Sequence, residues 1–125
     1  MKVLIVDDSK TSRVVITTFL QKLGHEVLSA NNGAEGLDVL HKNKNIDVIF
    51  LDWHMPEVDA PMFLSLLKTE NLVGPAIVIL SAEKDLKKIQ ELVDKWNHVG
   101  LVDFVSKPYT KEIIEEKLKK ATLIE

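Results

Sequence analysis

Two hydrophobic rhythms alternate along this chain. Val3-Leu4-Ile5-Val6, Asp47 to Asp52, Ala76 to Leu80 and Leu101 to Val105 are short, nearly continuous apolar runs bounded by polar residues, as expected of strands buried on both faces. The first of these strands starts at Lys2, and Glu26 to Ala30 reads as a further strand. Between them the period lengthens to that of a helix. Ile16, Phe19, Leu20 and Leu23 share one face of a helix that Ser9 or Asp8 can cap and Gly24 ends. After a turn at Asn31-Asn32-Gly33, Ala34 to Leu40 places Leu37 and Leu40 inward. A third helix has Pro61 in its first turn and a stripe of Phe63, Leu66 and Leu67, before Gly74-Pro75 breaks the chain. A fourth, Leu86 to Trp96, carries Leu86, Ile89, Leu92 and Trp96 on one face. Gly100 introduces the last strand, and a fifth helix runs from Thr110 to about Thr122 with Ile114, Leu118 and Ala121 inward.

Five β/α pairs in succession predict an α/β fold: a doubly wound parallel sheet joined by right-handed crossovers, with helices on both faces. Each strong apolar run stops on a polar group. Val6 leads into Asp7-Asp8, Leu51 into Asp52, Leu80 into Ser81, and Val105 into Ser106-Lys107. In a parallel sheet these endings lie on one edge, the edge at which open α/β sheets bind ligands. Asp52 is the centre of the expected site, because the apolar run before it ends abruptly on its carboxylate.

Composition narrows the field. With 125 residues and 46% hydrophobic content, the chain suits one domain, residues 1–125, around a single core. A net charge of −3 with mixed signs gives no basic field, so direct nucleic-acid contact is not expected. Zero cysteines exclude disulfides and thiolate metal sites. No apolar run approaches the roughly 20 residues of a membrane span and no leader precedes the first strand, so the expected location is the cytoplasm, without membrane insertion. The four histidines lack paired ligand spacing; a zinc site is not expected, and His25, His41 and His98 read as surface residues.

The order and spacing of Asp7-Asp8-Ser9, Arg13, Gly24, Asn32-Gly33-Ala34-Glu35, Asp52 with Met55-Pro56, Ser81-Ala82 and Lys107-Pro108 resemble a response-regulator receiver domain over the whole length. The resemblance implies a flavodoxin-like strand order, 2-1-3-4-5, which sets the first and third strands side by side. It further implies that Asp8 and Asp52 bind Mg²⁺ directly, that Asp7 acts mostly through water, and that the main-chain carbonyl of His54 is a ligand. Asp52 is then the phosphoacceptor, taking a phosphoryl group from a histidine kinase or a histidine phosphotransfer protein, while Lys107 and Ser81 assist the transfer. Such a domain is a switch with its own dephosphorylation activity and not a turnover enzyme. In the same family Ser81 and the aromatic Phe104 form the switch, and the signal leaves by altered binding of a downstream protein through the fourth helix, fifth strand and fifth helix. A core role for Phe104 stands beside that one. The protein is expected to be a monomer or weak dimer, either acting alone or forming part of a longer regulator.

Some residues depart from the family pattern. Ala60 stands where glycine is usual, although Asp59 can still cap the third helix. Trp53 and His54 are bulky neighbours of Asp52. The span from Ser81 to Lys107 is longer than usual by about four residues, roughly one helical turn, near Trp96-Asn97-His98-Val99. Two other functions fit the framework less well. A phosphohydrolase with an aspartyl nucleophile of the haloacid-dehalogenase type needs a second acid two residues on, where this chain has His54. A flavin module needs a phosphate cradle, and the loop after the first strand, Asp7-Asp8-Ser9-Lys10, is acidic.

Overall fold

The computed structural model describes residues 1–107 and 109–123, so Pro108 of the Lys107-Pro108 motif lies outside the described residues, as do the last two positions. Five strands, β1 (Lys2–Val6), β2 (Glu26–Ala30), β3 (Val48–Asp52), β4 (Ala76–Ser81) and β5 (Leu101–Ser106), alternate with five helices. The helices are α1 (Lys10–Lys22), α2 (Gly33–Lys42), α3 (Ala60–Thr69), α4 (Leu86–Trp96) and α5 (Lys111–Leu123). All pairings are parallel and the order is β2-β1-β3-β4-β5, the doubly wound arrangement expected from the sequence.

The sheet divides the core in two. On one side Leu4, Val6, Ile49, Leu51, Ile77 and Ile79 meet Leu37 and Leu40 of α2 and Phe63, Leu64 and Leu67 of α3. On the other, Val3, Ile5, Val48, Phe50 and Val78 meet Ile16 and Leu20 of α1 and Ile114, Leu118 and Ala121 of α5. Strands β1, β3 and β4 therefore need apolar side chains toward both faces between their polar ends, which is why their interiors show no alternation. Local signals set the helix starts. Ser9 accepts from Ser12 N–H, Asn32 from Glu35 N–H, Asp59 from Met62 N–H and Asp85 from Lys87 N–H, each relieving an amide that the helix leaves unpaired.

Four readings need correction. Leu23 is 37% exposed: α1 ends at Lys22 and the chain turns toward β2, lifting Leu23 off the core. In α3 the stripe is shifted, with Leu64 fully buried and Leu66 only partly so. Asp47 precedes β3; its carboxylate is exposed and accepts from Lys2 N–H. Leu86 is 80% exposed, because it opens α4 one turn before Ile89, where that helix first meets the core.

The segment around Trp96 continues α4 into a 3₁₀ turn, Asn97–Val99. Val99 is buried there, while Trp96 packs partly on the core and stacks with His98 at 6.3 Å between ring centroids. Gly100 then reverses the chain at φ +113°, and a Cβ at that point would lie 2.5 Å from the Pro75 carbonyl oxygen, so only glycine fits. In β5 one residue is extra: Leu101 pairs with Ile77 but Asp103 with Val78, a bulge centred on Val102.

Candidate phosphoacceptor and cation site

The carboxyl ends of β1, β3, β4 and β5 converge as the apolar runs predict, and the three buried polar residues of the described chain, Asp7, Asp52 and Ser81, all lie there. One oxygen from each of Asp7, Asp8 and Asp52 falls within 4.8 Å of the others. Asp7 is fully buried; its Oδ1 accepts from Ser9 N–H at 2.8 Å, and its Oδ2 has no partner. An unpaired buried carboxylate oxygen is costly, and here it faces two further carboxylates. A hard divalent cation answers both problems, since it supplies positive charge and takes oxygen ligands. The donor set therefore fits such an ion.

Asp52 ends β3 with only 3% of its surface exposed. Burial, with the charge of Asp7 adding to it, pushes its pKa up to about 6, against the pull of Lys107 and the His54 amide. Lys107 Nζ lies 3.2 Å from Asp52 Oδ1 and His54 N–H lies 3.3 Å from the same oxygen. The lysine is positioned by its backbone, whose N–H donates to the Ser81 carbonyl at 2.8 Å and so ties the end of β5 to β4. Ser81 Oγ accepts from Glu83 N–H at 3.1 Å, which shapes the turn after β4. The Phe104 ring is buried, packed with Leu101 and Ile79 on the α2–α3–α4 side.

Every site residue expected from the sequence is thus present at this edge or, for Phe104, on the strand leading to it. The roles of its neighbours were less visible. Arg13 Nη1 donates to the Asp7 carbonyl at 2.7 Å and to Asn31 Oδ1 at 3.0 Å, bracing β1 against the loop after β2. Tyr109 is half-buried and hydrogen-bonded to Ser12, and its hydroxyl is pushed up in pKa by that burial. No spacing rule signals either contact, because each joins elements that only the fold brings together. Of the histidines, His41 and His98 are exposed, His41 pairing with Glu70, whereas His25 is half-buried against the amino group of Met1.

A five-stranded parallel α/β domain with an acidic pocket and a facing lysine defines a class of phosphoryl-accepting modules. The model of the response regulator receiver domain matches residues 3–119, and the chain belongs to that family. It is 34% identical to a chemotaxis protein CheY homolog of Campylobacter jejuni over 122 residues, covering 95% of this chain and 90% of that protein. It is 33% identical to chemotaxis protein CheY1 of Helicobacter pylori, covering 95% and 94%. Among solved structures, chemotaxis response regulator CheY4 of Vibrio cholerae superposes with a TM-score of 0.84 at 30% identity, covering 96% of this chain and 97% of that one. The family makes the domain a phosphoacceptor in signalling and not a turnover enzyme, which sets aside the phosphohydrolase and flavin readings. No helix among the described residues is long and apolar enough to cross a membrane.

Proposed function

We propose that Asp52 accepts a phosphoryl group from a phosphohistidine donor, a histidine kinase or histidine phosphotransfer protein, with Mg²⁺ held by Asp7, Asp8, Asp52 and the His54 carbonyl. The observation that carries this reading is the Asp52 carboxylate, buried at a strand end, 3.2 Å from Lys107 and clustered with two further acids. When bound, Mg²⁺ supplies charge compensation for the phosphoryl oxygens. The protein's own part is positioning. Lys107 and the His54 amide both engage Oδ1 and so hold that oxygen, leaving Oδ2 without these donors as the oxygen for the attack. An Asp52 oxygen attacks phosphorus, the bond to the histidine nitrogen breaks, and an acyl phosphate forms on Asp52. Lys107 then pairs with a phosphoryl oxygen, and the Ser81 hydroxyl, at the adjacent strand end, is freed from the Glu83 amide to donate to another. Attack by water on phosphorus breaks the bond to the Asp52 oxygen, releases inorganic phosphate and returns Asp52 to the carboxylate.

Readout follows from what moves. The Ser81 hydroxyl and the Phe104 strand link the site to α4 and β5, and the α4–β5–α5 face is the surface whose partner binding changes. The similar sequences include chemotaxis proteins, and a segment covering 15% of the Helicobacter pylori sensor histidine kinase CheAY is 31% identical. Those names support a kinase of the chemotaxis class as donor, and the proposal further takes the switch as cytoplasmic and monomeric or weakly dimeric. Mass spectrometry after incubation with acetyl phosphate and Mg²⁺ tests the reading. One phosphoryl group, labile to hydroxylamine, is expected on the wild type and none on Asp52→Asn; undiminished labelling of the variant would overturn the assignment.

A further inference from the structure

Residues 53–59 carry the chain from Asp52 to α3, and His54 lies within this loop. Its ends are anchored, by buried Met55 and by Asp59 capping α3, but Glu57 between them stands at φ +64°, a left-handed conformation that a glutamate rarely adopts. The residue that follows it, Val58, is met from outside the loop. Gly33, the first residue of α2, is buried, and a Cβ on it would lie 2.7 Å from Val58 Cγ1, 2.8 Å from the Val58 carbonyl oxygen and 2.9 Å from Val58 Cβ. Val58 is therefore seated directly on the Gly33 backbone, at a distance no other residue permits. The chain just before Gly33 is held in turn: Asn32 caps α2, and Asn31 accepts from Arg13, which also donates to the Asp7 carbonyl.

These contacts close a ring around the carboxylates without including them. It runs from Asp7 through Arg13, Asn31 and Gly33 to Val58, and back along the loop to Asp52. We infer that Gly33 is a positioning residue for the site, and that its missing side chain sets the path of the loop and hence the place where the His54 backbone meets the three acids. The inference rests on the reading of those acids as a divalent-cation site. A merely structural role for Gly33, as a close-packed helix start, would affect stability alone. Gly36 offers the control. It is in the same helix, and the nearest atoms its added Cβ would meet belong to the Val6 and Phe63 side chains, at 3.0 and 3.2 Å, and not to the loop.

The test compares Gly33→Ala, Gly36→Ala and Val58→Ala, the last trimming only the Cγ1 part of the contact from the loop side, with no clash. Two readouts are taken on each: amide hydrogen exchange of the metal-free protein, and MgCl₂ titration by calorimetry. Gly33→Ala should speed exchange across residues 53–58 and weaken Mg²⁺ binding about tenfold, the scale of losing a contact that orients a metal ligand. Val58→Ala should move both readouts in the same direction by less, and this variant decides the matter if Gly33→Ala does not fold. Gly36→Ala should lower the melting temperature and leave loop exchange and Mg²⁺ affinity within about twofold of wild type. Unchanged affinity in folded Gly33→Ala and Val58→Ala, or an equal loss in Gly36→Ala, would overturn the inference. A wild-type protein that binds no Mg²⁺ would instead overturn the cation reading beneath it, a result distinguishable because the variants then have no affinity to lose.

Discussion

β3–α3 and β4–α4 are consecutive units of one sheet, yet they are built to different tolerances. Both strands are buried at every position. Helix α3 follows suit, burying Ala60, Phe63, Leu64 and Leu67, whereas α4 buries none of its residues fully and rests on the part-covered Ile89, Leu92, Val93 and Trp96. The first unit carries Asp52, the proposed acceptor, and the second carries the hydroxyl of Ser81. The difference teaches that Asp52 is fixed by close packing, which resists small displacements, while the element beside the Ser81 hydroxyl is held by contacts that cost little to rearrange.

The contrast breaks first on core truncation. Phe63→Ala should cost about 3–5 kcal/mol of stability in denaturant unfolding, while Leu92→Ala should cost roughly 1–2, because its side chain is already partly solvated. Equal losses would mean that α4 is packed as firmly as α3.

Next in size is the charge buried in the first unit. Burial pushes the folded pKa of Asp52 up to about 6, above the ordinary aspartate value of 3.8. The native protein therefore holds a proton that the unfolded chain releases earlier, and stability is lost as pH rises through that interval. Without metal, Asp52→Asn should be more stable than wild type above pH 6, on the order of 1–3 kcal/mol at pH 7.5, with the gain gone near pH 4. Thermal melts with a chelator present, across this range, check both the sign and the window. A gain that grows toward low pH would contradict the raised pKa.

The two tryptophans divide between the units and make the comparison optical. Mg²⁺ should change the fluorescence of Trp53, beside Asp52, so the response should persist in a Trp96→Phe variant and largely vanish in Trp53→Phe. An equal response in Trp53→Phe would assign the signal to the second unit. The smallest effect belongs to Leu86→Ser, which should change stability by less than about 0.5 kcal/mol, since its side chain is mostly in water. A measurable destabilisation would show that the start of α4 is better covered than its exposure indicates.

What could be read from the chain alone follows the same division. The buried strands and the polar residues at their ends were legible, because fully buried strands cannot hide their apolar runs and a parallel sheet leaves their ends on one edge; the strand order came only with the family resemblance. Asp7, Asp52, Ser81 and Lys107 were found in this way. The depth to which each helix sinks was not, since periodicity gives the direction of a face without its distance from the sheet; Leu86 and Leu23 share the periodic face and yet lie beyond the core. Contacts between elements distant in sequence, such as Arg13 with Asp7 and Asn31 or Val58 on Gly33, leave no spacing to detect. The raised pKa of Asp52 likewise depends on desolvation, which only the assembled core supplies.

The extra residue in β5 acts on that strand as a frameshift acts on a message. Leu101 and Phe104 face the same layer of the core although they are three apart, because the bulge at Val102 resets the alternation between them. Deleting Val102 would leave Leu101 and Phe104 two apart, on one face by plain alternation, so the Phe104 ring would stay toward α4 and Val105 toward α5. Straightening the strand with Val102 kept in the ladder would instead exchange what its two faces say to the helices, with every side chain downstream unaltered.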